Sequence, residues 1–174
     1  MKDNGKHSMI RWLLAALAVV AVAFLCSAHA FQLLLLQGES MSPAYHNLQL
    51  LVLDKRQHDY GYGDVVAFRC EQLDSVLVKR VVALPGDSVV IQAKQLLVNG
   101  CESCVYPAAT VFEYSGLLLT PVVLGEGEFI VIGDNVSRSR DSRYPEVGII
   151  RREQIIGKVL YGKPTIQSKR HRNT

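Results

Sequence analysis

The sequence predicts a mainly β domain, an antiparallel barrel-like or sandwich fold, preceded by one N-terminal transmembrane helix. Three observations carry that expectation. Trp12 to Ala28 is an unbroken run without charge. From Phe31 onward, short Val-, Leu- and Ile-rich runs alternate with turn-forming residues. No second amphipathic helical period follows them, and many short strands without helices suit a barrel or sandwich.

The N-terminal run is long enough to span a bilayer. A hydrocarbon core of ~30 Å takes roughly 17–25 helical residues, and residues 10–30 supply that length. Lys2, Lys6 and Arg11 precede the run, and the next basic side chain is Lys55. This asymmetry places residues 1–9 in the cytoplasm and everything after the helix outside. Ala28-His29-Ala30 also spells the end of a cleavable secretory signal; either way the remainder is exported.

Strands are expected at 31–36, 49–54, 65–69, 75–83, 88–92, 95–98, 128–132 and 154–160. Turn signals separate them: Ser42-Pro43, Gly61-Tyr62-Gly63-Asp64, Pro85-Gly86-Asp87, Asn99-Gly100, Gly125-Glu126-Gly127 and Gly133-Asp134-Asn135. Asn99-Gly100 is a strong hairpin turn, since both residues tolerate positive φ. The exported domain runs over 31–165, with a reduced insertion at 99–124 that keeps no clean period. Residues 166–174 form a basic tail, read as solvated.

Three segments could hold chemistry, although each alone also reads as ordinary structure: a turn serine, an edge-strand lysine and a polar surface loop. Gly38-Glu39-Ser40-Met41-Ser42-Pro43 presents a serine in a loop just after the apolar strand. A serine hydroxyl is a weak nucleophile until a base takes its proton. Val76 to Asp87 sets Lys79 and Arg80 inside an apolar strand. Alternation groups Lys79 with Leu77 and Val81, and Arg80 with Val78 and Val82. Arginine keeps its proton, so of the two only Lys79 can act as a base; taken alone, it reads as a lysine snorkelling to water from an edge strand. An ordinary lysine, at pKa ~10.4, is neutral in only about one molecule in 250 at pH 8. Burial disfavours the charge; a drop of roughly 2.4 units, about 3.3 kcal/mol, would leave half of it neutral there. The third segment, Gly133 to Arg143, is dense in polar groups: Asp141 and Arg143 suit a charge-assisted pair, and Ser139 could orient a nearby amine.

In order and spacing these segments resemble the type I signal peptidases. The matching stretches are Ser40–Pro43, Lys79–Asp87 and Gly133–Arg143, and the likeness runs from about Gly38 to Leu160. The resemblance implies a membrane-bound serine endopeptidase that removes signal peptides from exported precursors after an Ala-x-Ala-like site. It casts Ser40 as nucleophile and Lys79 as general base, without histidine. Ser139 would hydrogen-bond the lysine amine, Asp141 and Arg143 would form a structural pair, and Met41 would pack by the cleft. Asp134 and Asn135 would support the site. The Ser40 backbone N–H would supply one oxyanion donor; some members place a second, a serine, where this chain has Gly38. Ala44-Tyr45 stands where Thr-Leu is usual.

The expected partners are precursor proteins and the lipid bilayer, with the chain acting as a monomer. A formal charge of +3, dispersed along the chain, gives no footprint for nucleic acid. Neither a metal nor an organic cofactor is implied. Cys101 and Cys104 lack further ligands at zinc spacing and read as a loop disulfide or two free thiols. At ~3.3 Å per residue, the short stretch from the helix end to Ser40 holds that serine within about 33 Å of the membrane surface. Three rivals stand beside this reading: a His46-based serine mechanism, a specialised peptidase for pilin or conjugation substrates, and a non-catalytic anchored β module serving binding or assembly.

Overall fold

A computed structural model describes residues 9, 11–19 and 30–160. Among the described residues eleven strands follow one another: β1 (Phe31–Leu35), β2 (Leu50–Asp54), β3 (Val65–Cys70), β4 (Ser75–Ala83), β5 (Ser88–Gln92), β6 (Gln95–Val98), β7 (Cys101–Glu102), β8 (Val122–Val123), β9 (Glu128–Ile132), β10 (Ile150–Arg151) and β11 (Ile155–Val159). They form a seven-stranded sheet in the order β1-β2-β11-β3-β4-β9-β10 and a four-stranded sheet in the order β7-β6-β5-β8. All the registered pairings are antiparallel, as expected of the fold class.

Residues 11–19 are helical, with Trp12, Leu13, Leu14 and Leu17 exposed. The expected span over 10–30 also takes in residues 10 and 20–29, which lie outside the described residues, as do 1–8 and the tail 166–174. Among the described residues no helix is long and apolar enough to cross a membrane.

The strands at the centre of the large sheet are buried on both faces, which explains their nearly continuous apolar sequences. In β3, Val65 and Ala67 pack with Leu36, Met41, Leu51, Leu53 and Val78. Their neighbours Val66 and Phe68 pack on the other side with Val81, Phe129, Val131 and Ile150. A third cluster joins the sheets: Val82, Ala83, Ile130 and Ile132 from the large one meet Val89, Ile91 and Leu96 from the small one. β1 and β2 are different. Leu51 and Leu53 face the core, while Leu33, Leu35 and Leu50 remain exposed.

Asn99 and Gly100, at φ 54° and 77°, join β6 to β7 with Val98 opposite Cys101. The segment 99–124 is more tightly woven than its sequence suggests. Val105, Tyr106, Phe112, Leu118 and Leu124 enter the joining core, a 3-10 helix spans Gly116–Leu119, and β8 pairs with β5. Strands of two residues are too short to show a period, so β7, β8 and β10 leave no trace in the sequence. Arg152–Gln154 forms a 3-10 turn just before β11.

Leu51 and Leu50 are adjacent but face opposite ways. Leu51→Ala is expected to cost about 2–5 kcal/mol in denaturant unfolding, and Leu50→Ala less than about 0.5 kcal/mol.

Candidate active site

Lys79 lies in β4 opposite Val66 of β3, and Arg80 lies opposite Val65. The two cations therefore occupy opposite faces of one strand, as alternation requires. Both are buried, Lys79 at 3% exposure and Arg80 at 2%. The lysine does not snorkel to water at an edge. Its Nζ donates to Ser40 Oγ at 2.8 Å and to the Val78 carbonyl at 3.1 Å. Burial brings the Lys79 ammonium down to about 8, against the opposing pull of the Asp141 and Asp134 carboxylates.

Ser40 arrives on the loop between β1 and β2. Leu36 N–H donates to Gln49 O, and Leu48 N–H to Leu36 O, which closes the base of that loop. Gly38 N–H donates to Asn47 Oδ1 at 2.8 Å. Gly38 has a φ of +92°, a conformation that would strain a side-chain-bearing residue; a serine donor there is disfavoured on backbone grounds. Met41 is fully buried in the core beneath the site and offers no surface to a ligand.

The segment after β9 holds Ser40 from the other side. Asn135 N–H donates to Ser40 O at 3.0 Å, so Asn135 acts through its backbone, while its side chain accepts from Ser137 Oγ. Asp141 and Arg143 make the expected pair, both carboxylate oxygens bonded at 2.8 and 2.9 Å. Both side chains are almost fully buried. Asp141 Oδ2 also accepts the Gly133 N–H, and Arg143 donates to the carbonyls of Val136, Ser139 and Tyr114. The pair thus wires the loop together. Ser139 is buried beside Gly133, yet its Oγ makes no hydrogen bond. The bond expected from it to the lysine amine is not formed.

Arg80, excluded above as a base, has a partner that the sequence did not assign to it. Its Nε and Nη2 donate to Asp134 Oδ1 and Oδ2 at 2.6 and 2.5 Å, and Nη1 donates to Gly63 O at 2.6 Å. The signal was available: an arginine inside an apolar strand needs a partner, because an unpaired buried charge is prohibitive. Tyr106 donates to the carbonyls of Ile132 and Gly133, and burial pushes its hydroxyl well above the usual tyrosine range.

Among the described residues no hydrogen bond joins His46 to Ser40; the His46 N–H donates to Gln49 Oε1. No group of three or more metal-ligating side chains occurs among the described residues. Cys101 and Cys104 are exposed free thiols.

A buried amine on a serine hydroxyl, inside an antiparallel β domain, fits hydrolytic chemistry, and comparison with known proteins gives the class: a peptidase of family S26. The family model described as signal peptidase, peptidase S26, matches residues 9–161, and the chain belongs to that family. A signal peptidase I of Bacillus licheniformis is 32% identical over 164 residues, covering 88% of both chains. A signal peptidase I P of Bacillus subtilis subsp. natto is 31% identical, covering 90% of this chain and 89% of that one. A solved signal peptidase I from Enterococcus faecalis aligns at a TM-score of 0.46 and 25% identity, covering 59% of this chain and 97% of that one.

Gly133 has no room for a side chain. A Cβ there would lie 2.5 Å from Ser40 O and closer still to Ser139 Oγ. Gly133→Ala is expected to displace Ser40 and lower peptide cleavage about 100-fold, while circular dichroism still reports a folded β domain.

Proposed function

We propose that this chain is a membrane-bound signal peptidase I that cuts exported precursors after an Ala-x-Ala-like site through a Ser40/Lys79 dyad. The observation that carries this reading is the 2.8 Å contact between Lys79 Nζ and Ser40 Oγ, made by an amine withdrawn from water.

A neutral amine has two hydrogens and one lone pair. The Val78 carbonyl occupies one hydrogen, and for proton removal the lone pair accepts from the Ser40 hydroxyl. Ser40 Oγ then attacks the peptide carbonyl carbon, and its proton moves to Lys79. The resulting oxyanion is met by the Ser40 backbone N–H. Collapse breaks the C–N bond, and Lys79 returns the proton to the leaving amine. Lys79 next takes a proton from water, the hydroxide opens the acyl ester, and Ser40 regains its hydrogen. Ser139, a buried hydroxyl without a bond, suits the second amine hydrogen once its rotamer turns.

The proposed location is the plasma membrane, with a single span, the N-terminus in the cytoplasm and the catalytic domain on the outer face. Lys2, Lys6 and Arg11 ahead of the apolar run support that orientation. Exposed Leu33, Leu35, Leu48 and Leu50, close in the chain to Ser40, suit a site held against lipid. The substrates are precursors bearing signal peptides, and the enzyme acts as a monomer.

Cleavage of an Ala-x-Ala precursor by the purified chain tests the assignment. Ser40→Ala and Lys79→Ala are expected to lower kcat at least about 1,000-fold, with the fold intact. Lys79→Arg should be equally inactive, because a guanidinium cannot give up its proton. An inert wild type would favour the anchored binding module instead.

The pH profile follows from the base. Lys79 works only when neutral, so kcat/KM should be half-maximal at about pH 8 and fall as the pH drops below it. An acid limb centred near pH 6.5, as for an ordinary histidine, would implicate a different base.

A further inference from the structure

Two buried carboxylates lie on the loop that braces Ser40, and each is capped by an arginine through both of its oxygens. Asp134 takes Arg80 and Asp141 takes Arg143. The charged and titratable groups around Lys79 come from four parts of the chain. Arg80 lies on its own strand, while Asp134, Asp141 and Arg143 lie on the loop after β9. Tyr45 lies on the Ser40 loop and Tyr106 on the segment 99–124, and both are coupled to the Arg80–Asp134 pair. Either carboxylate, left bare in so dry a place, would favour a protonated lysine.

The two arginines differ in what else they do. Arg143 also holds the carbonyls of Val136, Ser139 and Tyr114, so its charge cannot be separated from the architecture of the loop. Arg80 makes one further hydrogen bond, to Gly63 O. Most of its bonding goes to the carboxylate.

We propose that Arg80 is a positioning residue whose guanidinium masks the Asp134 carboxylate and thereby keeps Lys79 available as a base near neutrality. The proposal rests on the Ser40/Lys79 reading. A buried ion pair is weak evidence for stability, since desolvation consumes much of its attraction. Arg80 is one residue from the base, and Asp134 directly precedes Asn135, whose amide holds Ser40 O; there the pair sets the charge felt by the amine.

The sign of the effect separates the two roles. In the full-length chain in detergent, kcat/KM for an Ala-x-Ala precursor is measured from pH 6 to pH 10. Arg80→Gln bares Asp134, favours the ammonium and is expected to move the acid limb up by about one pH unit. Asp134→Asn leaves Arg80 as an uncancelled cation and is expected to move the limb down by a similar amount. The double variant should return the midpoint close to that of the wild type. Rates that fall at every pH with unmoved midpoints would leave the pair a strut and overturn the proposal. Should Arg80→Gln fail to melt cooperatively, Asp134→Asn decides alone, a lowered midpoint supporting the mask and an unmoved or raised one refuting it. Failure of the underlying reading looks different: the wild type cuts nothing at any pH, and the mask falls with it.

Discussion

The desolvation of one amine organises this molecule. Lys79 could meet Ser40 at the same distance on an open surface, but there water would keep it charged and unable to accept a proton. Strand β4 solves this by running through the middle of the seven-stranded sheet, flanked by β3 and β9, with apolar side chains covering both faces. The three core clusters therefore serve two ends at once. They stabilise the fold, and they supply the dry environment that the chemistry demands.

That environment has a cost, visible in the polar groups it forces inside. Arg80, Asp134, Asp141 and Arg143 carry charge in the same interior and survive by strict pairing, with both carboxylate oxygens engaged. Apolar residues of similar volume could match such pairs in stability. Their retention makes sense if the polar loop is needed to place Ser40, which it does through the Asn135 amide. The amine is fixed on a strand and the hydroxyl on a loop; a backbone hydrogen bond between loops keeps the two in register.

Much of this was legible in the sequence. Eight strand positions follow from apolar runs and turn residues, and the boundaries of β4, β5, β6 and β9 fall where those signals place them. A cation between Val78 and Val81 contradicts its surroundings, as sites often do, but it was the match of three spaced motifs that joined Lys79 to Ser40. Arg80 raises the same contradiction, and a buried arginine calls for a carboxylate partner even though it transfers no proton. The cross-chain partners were not legible at all. Asp134 meets Arg80 across 54 positions, and no local pattern encodes that meeting. The two-residue strands of the insertion were likewise invisible, being defined by their neighbours and not by their own period.

Gly133 shows how far the constraint reaches. Its carbonyl takes the Tyr106 hydroxyl, its amide gives to Asp141, and the space beside its Cα is filled by Ser40 O and Ser139. One residue without a side chain thus touches the insertion, the buried ion pair and the serine loop. Any atom added there would have to displace the Ser40 backbone or the Ser139 side chain. The insertion at 99–124 is consequently more than an ornament on the catalytic sheet: through Tyr106 it anchors the carbonyls of Ile132 and Gly133, at the very point where the chain leaves β9 to support Ser40. Shortening that segment is possible only so long as the tyrosine still reaches them.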